Sequence, residues 1–205
     1  SIIAVSRFEI PPENDLIKRI FDLFLSIIML IVTSPILLVT ALAIRLDSKG
    51  PIFYRQTRIT LGGKEFDVLK FRSMREDAEK LSGPVLAQED DPRVTRVGKI
   101  IRSLRIDELP QLFNVLKGEM SIVGPRPERP YFVEQFTERN KYYALRHNVR
   151  AGITGYAQVY GKYSTNFTHK LRFDLLYIKN YSFGLDLQIL FQTVKILFDK
   201  VSSRG

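Results

Sequence analysis

From Leu23 to Ile44 the chain carries no charged side chain, and this run limits the architecture more than any other feature. As a helix rising about 1.5 Å per residue it would measure roughly 33 Å, enough to reach across the hydrocarbon of a bilayer. A buried helix of a soluble core is the other structure open to it. The flanks favour lipid: Lys18 and Arg19 precede the run, and Arg45 and Lys49 follow it. The run is too long for a signal-peptide core and lacks a small-residue cleavage site, so it should stay in the mature protein. Pro35 removes a backbone hydrogen bond near the middle, which predicts a break at Ser34-Pro35, with the hydroxyl of Ser34 or Thr33 serving a freed carbonyl. Basic residues at both ends fit two cytoplasmic flanks. The expectation is therefore a re-entrant helix that enters and leaves the bilayer on one side.

The remainder reads as α+β, mainly helical with a small β-hairpin. We divide the chain into residues 1–50, holding the re-entrant helix, and residues 51–205, a cytosol-facing domain. An opening Ser1 in place of Met leaves room for absent upstream segments. With no cysteine there is neither a disulfide framework nor a thiolate metal site. The 31 Lys plus Arg against 22 Asp plus Glu give a net charge of +9, which favours a polyanionic partner: nucleic acid, lipid headgroups or a phosphorylated substrate.

The runs Ile52–Tyr54 and Phe66–Leu69, joined through Gly62-Gly63, predict the hairpin. A short helix is expected at Asp77–Leu81, followed by a Gly83-Pro84 loop. From Val94 the apolar residues Val97, Ile100, Ile101 and Leu104 form one helical stripe among Arg93, Arg96, Lys99, Arg102 and Arg105, an interfacial amphipathic helix. Leu109–Lys117 reads as a helix with Pro110 in its first turn and Gly118 after its end. Further helices are expected at Tyr131–Tyr143, Phe173–Lys179 and Leu185–Phe198, and Gly152–Gly161 as loop with a short strand.

Asp107 and Glu108 fall at a predicted helix start, where free N–H groups and the macrodipole favour an ionised carboxylate. Such a pair can attack phosphorus, hold a divalent cation through hard oxygens, or cap the helix, and spacing alone does not choose. Arg126 stands between Pro125 and Pro127, a stiff mount for bidentate phosphate recognition or a structural turn. Lys70 and Arg72 should leave one strand face together, placed to hold a diphosphate or to face solvent. His147 and His169 lack metal-ligand spacing. No P-loop, dinucleotide fingerprint or nucleophile elbow is present.

Taken in order, the hydrophobic run broken at Ser34-Pro35, Lys70-Phe71-Arg72-Ser73-Met74, Asp91-Pro92-Arg93-Val94-Thr95-Arg96-Val97-Gly98, Asp107-Glu108-Leu109-Pro110-Gln111-Leu112-Phe113-Asn114, Val123-Gly124-Pro125-Arg126-Pro127 and Gly152-Ile153-Thr154-Gly155 resemble the bacterial sugar transferase family. These are monotopic polyprenyl-phosphate phosphoglycosyl transferases, and the resemblance runs from about Lys18 to Phe198. It implies a magnesium-dependent enzyme that moves a sugar phosphate from a UDP-sugar to a polyprenyl phosphate and releases UMP. The setting implied is the cytoplasmic face of a bacterial inner membrane, at the first membrane step of exopolysaccharide or lipopolysaccharide assembly.

The resemblance further implies that Asp107 is a covalent nucleophile and that Glu108 is its acidic partner near the metal. Lys70, Arg102 and Arg126 match phosphate-binding cations, with Arg72 beside them, and Asp174 matches an acidic position of the last segment. The chain departs from the usual pattern at Ala151, where Pro is common, and at Tyr160 and Lys162, in a region that would bear on donor preference if it contacts nucleotide or sugar, and at Thr60, where Gly is usual in the hairpin loop. The expected partners are a UDP-sugar, a polyprenyl phosphate and membrane phospholipids. No nucleic-acid motif is present, and a homo-oligomer is left open. A non-catalytic basic scaffold on the membrane is the rival reading.

Overall fold

The computed structural model describes residues 8–75, 91–161 and 166–202, so the expected helix at Asp77–Leu81, the Gly83-Pro84 loop and Lys162 lie outside the described residues. Helix α1 spans Pro12–Asp47, with Pro in its first turn, Glu13 and Asp15 at its positive end and Arg45 at its negative end. It is the one helix among the described residues long and apolar enough to cross a membrane. The expected break is not an interruption, because α1 runs continuously through Pro35. Ser34 Oγ donates at 2.8 Å to the carbonyl of Ile31, the group that the missing Pro35 N–H leaves without its helical donor. Thr33 Oγ1 donates to the carbonyl of Met29, one turn back, at 2.6 Å.

Burial along α1 is confined to its two ends. Lys18, Asp22 and Ser26 are buried, and so are Thr40 and Ile44, while Ile31, Val32, Leu38 and Val39 between them are exposed. The first group docks on the domain through Lys18 Nζ on Asp186 at 2.6 Å and through the Ile122 N–H on Asp22 at 3.1 Å. Arg19 donates to the carbonyls of Val115 and Leu116. In the second group Ile44 packs with Phe71 and Ile101, and Leu37 and Ala41 of α1 lie against them.

Strands β1 (Phe53–Ile59) and β2 (Glu65–Phe71) pair antiparallel, Phe53 opposite Phe71 and Ile59 opposite Glu65, so both are longer than the sequence runs suggested. Gly62 and Gly63 turn the tip at φ 68° and 73°, a conformation cheap only for glycine. Phe66 and Val68 enter the main core with Val115, Met120, Ile122, Tyr177 and Ile189. Helix α2 (Arg96–Ser103) is capped by Thr95 Oγ1, which accepts from the Gly98 N–H at 2.9 Å. Its apolar residues divide: Ile101 is buried and Val97 packs with it, but Ile100 and Leu104 are 59% and 46% exposed, so the single expected stripe is two. Adjacent helical residues point about 100° apart, and Ile100 cannot share the direction of Ile101.

A 3₁₀ turn, Ile106–Glu108, leads to helix α3 (Gln111–Lys117), which ends on Gly118 at φ 87°. Strands β3 (Met120–Val123) and β4 (Ala151–Thr154) then pair in parallel, Met120 beside Ala151, a second sheet the sequence did not suggest. Between them lie α4 (Pro130–Arg139) and a 3₁₀ run, Lys141–Asn148. Asn140 splits the expected Tyr131–Tyr143 helix by accepting from the Tyr142 N–H. Helices α5 (Tyr156–Tyr160), α6 (Phe167–Lys179) and α7 (Phe183–Ser202) complete a mainly helical fold with, among the described residues, two two-stranded sheets. Helix α7 buries Ile189 completely and leaves Phe191 and Phe198 exposed.

Two of the departures from the resembled pattern meet in this framework. The Ala151 N–H donates to Thr60 Oγ1 at 3.1 Å, and Thr60 Oγ1 donates to the Glu119 carbonyl at 2.8 Å. Proline at 151 has no such donor and glycine at 60 no such acceptor.

Candidate active site

The site is built at the sharp turn between α2 and α3. Arg105 takes φ 60°, a left-handed conformation rare outside glycine, and swings the chain from the end of α2 into the 3₁₀ turn that carries Asp107 and Glu108. Lys70 arrives from the end of β2, and Arg126 from the segment after β3. Glu108 Oε1 accepts from Lys70 Nζ at 2.9 Å and from Arg126 Nη2 at 2.8 Å, and Arg105 lies 3.7 Å from Oε2. Burial would raise the Glu108 carboxyl, but Arg126 and Lys70 more than offset it and hold the group well below the usual range.

Asp107 has the opposite environment. Its Oδ1 is buried without a hydrogen-bond partner. Burial first, then the negative charge of Glu108, push the carboxyl up to about 6, against the opposing pull of Lys70, Arg102 and Arg105. The ionised form expected at neutral pH is still the major one, although burial holds it less firmly than a helix terminus alone would. Asp107 stands in the 3₁₀ turn ahead of α3, and burial outweighs any field from that helix. Two adjacent carboxylates are driven apart, one firmly ionised and one poised to gain or lose a proton near neutrality.

The sequence-expected cations sort into two sets. Lys70 and Arg126 share one Glu108 oxygen, and Arg102 contributes positive potential at Asp107 from α2. Arg72 is not with them. It is buried and donates to the carbonyls of Ser48 and Lys49 and to Ser48 Oγ, a clamp on the connection from α1 to β1. Phe71 ends β2, so the alternation that would have kept Lys70 and Arg72 on one face stops between them.

Asp174 is likewise buried away from the solvent-reachable face. It pairs with Arg146 at 2.9 Å, and Arg146 also donates to Tyr143 Oη at 2.8 Å and to the Arg126 carbonyl at 2.7 Å. Its contact with the site is therefore indirect, through Arg146 to the backbone that carries Arg126. Arg146 had no signal in the sequence, because its partners come from the 3₁₀ run itself, α6 and the Arg126 segment, and only folding brings them together.

The orphaned Asp107 oxygen also decides how a divalent cation fits. Among the described residues no three His, Cys, Asp or Glu side chains gather into a cage. Magnesium is commonly held by one or two carboxylates, with substrate phosphates and water completing the octahedron. Asp107 suits that mode, whereas Glu108 Oε1 is already engaged by two cations.

The family model described as Bacterial sugar transferase matches residues 13–200. The UDP-N-acetylgalactosamine-undecaprenyl-phosphate N-acetylgalactosaminephosphotransferase of Aeromonas hydrophila is 46% identical over 94% of this chain and 46% of its own length. The UDP-glucose:undecaprenyl-phosphate glucose-1-phosphate transferase of Escherichia coli (strain K12) is 45% identical over 88% of this chain and 40% of its own. The exopolysaccharide production protein PSS of Rhizobium leguminosarum bv. phaseoli is 44% identical over 87% of this chain and 93% of its own. The chain thus spans less than half the length of the first two relatives and nearly all of the third. With the family model matched along almost its whole length, the chain belongs to the bacterial sugar transferases.

Proposed function

We propose that this chain transfers a sugar 1-phosphate from a UDP-sugar to a polyprenyl phosphate, of which undecaprenyl phosphate is the form named in its relatives, and releases UMP. The observation that carries the reading is the pair of carboxylates in opposite states: an unpartnered Asp107 beside a Glu108 locked by Lys70 and Arg126. In the first step an Asp107 oxygen attacks the phosphorus bearing the sugar. The bond from that phosphorus to the oxygen bridging the two phosphates breaks, and UMP departs with that oxygen. In the second step an oxygen of the polyprenyl phosphate attacks the same phosphorus and displaces the Asp107 carboxylate.

Lys70, Arg102 and Arg126 hold phosphate oxygens through both displacements, where fixed cations stabilise the transition state. Glu108, which stays ionised, keeps Lys70 and Arg126 oriented between turnovers. Magnesium held by Asp107, with Glu108 close by, would neutralise diphosphate charge when bound.

The acceptor is lipid-borne, so the site belongs at a membrane surface. We place α1 as a re-entrant element, with the domain on the cytoplasmic face of a bacterial inner membrane. A straight helix would separate Arg19 from Ile44 by about 38 Å. Yet Arg19 holds α3 and Ile44 packs near Phe71 of β2, and Asn114 joins α3 to β2 at Leu69. Exposed Ile100 and Leu104, with Arg96 and Lys99, suit a helix lying on anionic headgroups, each basic residue near the surface contributing about 1 kcal/mol. The test is to incubate purified protein in detergent with magnesium, undecaprenyl phosphate and either UDP-glucose or UDP-N-acetylhexosamines, and to read UMP. Release that depends on the acceptor and is lost in Asp107→Asn is expected. No release with any donor would reduce the chain to a basic membrane scaffold.

A further inference from the structure

Pro125 and Pro127 deprive the Arg126 segment of two N–H groups, so its carbonyls must find donors elsewhere if the segment is to be held rigidly. Four consecutive carbonyls do so, each from a different place. Pro125 accepts from the Gly152 N–H at 2.9 Å and Glu128 from the Ile59 N–H at 3.0 Å, both main-chain contacts set by the strands. The middle two are captured by side chains: Arg126 by Arg146 at 2.7 Å and Pro127 by Arg58 Nη1 at 3.1 Å.

Arg146 is committed to the buried pair with Asp174, and its removal would strand a buried charge. Arg58 is different. It lies on β1 with 19% of its side chain exposed, and it faces Glu128 at 3.5 Å. Its Nη2 donates to Gln56 Oε1 at 2.5 Å, and Gln56 Nε2 donates to Tyr54 Oη at 3.1 Å. These three side chains share one strand face, and Tyr54 stands directly opposite Lys70 in the hairpin register. A hydrogen-bonded row therefore runs from the position beside Lys70 to the carbonyl that follows Arg126. Lys70 and Arg126 are the two cations that meet on Glu108 Oε1.

We infer that Arg58 is a positioning residue: through the Tyr54–Gln56–Arg58 row it fixes the spacing between Lys70 and Arg126, and with it the aim of Arg126 at the donor diphosphate. This rests on the reading that Arg126 receives a donor phosphate. Displacement of a positioned group by 1 Å is enough to lower a rate by about 100-fold, so a lesion at Arg58 should be large although Arg58 touches no substrate.

The test is a double-mutant cycle with Arg58→Gln in the natural protein and in an Arg126→Lys background, measured as kcat, KM for the donor, calorimetric affinity for a UDP-sugar, and thermal unfolding. In the natural background Arg58→Gln should lower kcat by about tenfold and weaken donor binding. Added to Arg126→Lys it should cost less than about threefold more, because the aim it serves is already lost. Gln56→Leu, which frees the fork without removing its charge, should act in the same direction and carries the comparison if Arg58→Gln does not fold. Equal losses in both backgrounds, or losses that follow the unfolding temperature alone, would overturn the inference. An unmodified protein that binds a UDP-sugar but releases no UMP would sink the transferase reading instead, and the binding cycle would still decide the role of Arg58.

Discussion

Replacing Asp107 with asparagine should abolish transfer and yet make the protein harder to unfold. Burial and Glu108 lift the Asp107 carboxyl from its ordinary 3.8 to about 6. Two units correspond to about 3 kcal/mol at most, and the partial exposure of the residue trims this to about 1–2 kcal/mol. The sign follows from proton binding. The native state keeps a proton that the unfolded chain releases, so the wild type bears no penalty below about pH 4 and the full penalty above about pH 6.5. The asparagine variant is neutral at this position throughout and escapes it.

For a chain of this size the gain amounts to about 5 °C in unfolding temperature. Thermal scans in detergent with EDTA, from pH 4 to pH 8, should show equal midpoints at the acid end and a widening advantage for Asp107→Asn through pH 5 and 6. EDTA matters, because a divalent cation would favour the ionised form. A variant less stable than wild type at neutral pH, or an advantage that does not vary with pH, would refute the account of Asp107 as a carboxylate held in an unfavourable site for chemistry.

Arg126→Lys should fold normally and lose about 100-fold in kcat/KM by UMP release, since lysine keeps the charge without the planar fork. Single-turnover transfer should rise with pH through about 6 as Asp107 ionises, and a flat profile from pH 5 to 8 would count against Asp107 as the nucleophile. Thr60→Gly should cost about 1 kcal/mol in denaturant unfolding, and Ala151→Pro should cost less when added to it than when made alone, because both remove the same hydrogen bond. In intact spheroplasts single cysteines at Glu9→Cys and Lys49→Cys should both stay shielded from an impermeant thiol reagent. Labelling at the Glu9 position alone would establish a spanning helix.

The long apolar helix and the hairpin were legible because each is governed by local composition: an uncharged run, and two apolar runs around paired glycines. Helix ends were harder, and Asn140 and Asn166 moved two of them by capping, an effect that periodicity does not register. The parallel β3–β4 pair was not visible, since its strands are short and their partners lie far apart in the chain. Within the site, position alone left Asp107, Glu108, Lys70 and Arg126 open between structural and chemical roles, and it was the ordered motifs of the resemblance that singled them out; the fold brings their side chains together. Arg58 and Arg146 could not be named, because they bind carbonyls, and a carbonyl leaves no trace in a sequence. Arg72 was named for strand alternation and Asp174 for a position matched in the resemblance, but both are spent on holding backbone or another side chain in place.

Lys18 and Asp186 are 168 positions apart and almost wholly buried against one another. That pairing sets an order of assembly. A ribosome delivers α1 long before α7, so Lys18 must wait with its ammonium in water or among headgroups, its apolar stem laid along the helix. Only when Asp186 arrives, to which the Tyr177 hydroxyl donates at 2.8 Å in the folded protein, can that charge be enclosed with a partner to offset its desolvation. A nascent chain ending before α7 would expose the same lysine at the seam between helix and domain, and quality-control proteases would meet the unfinished protein there.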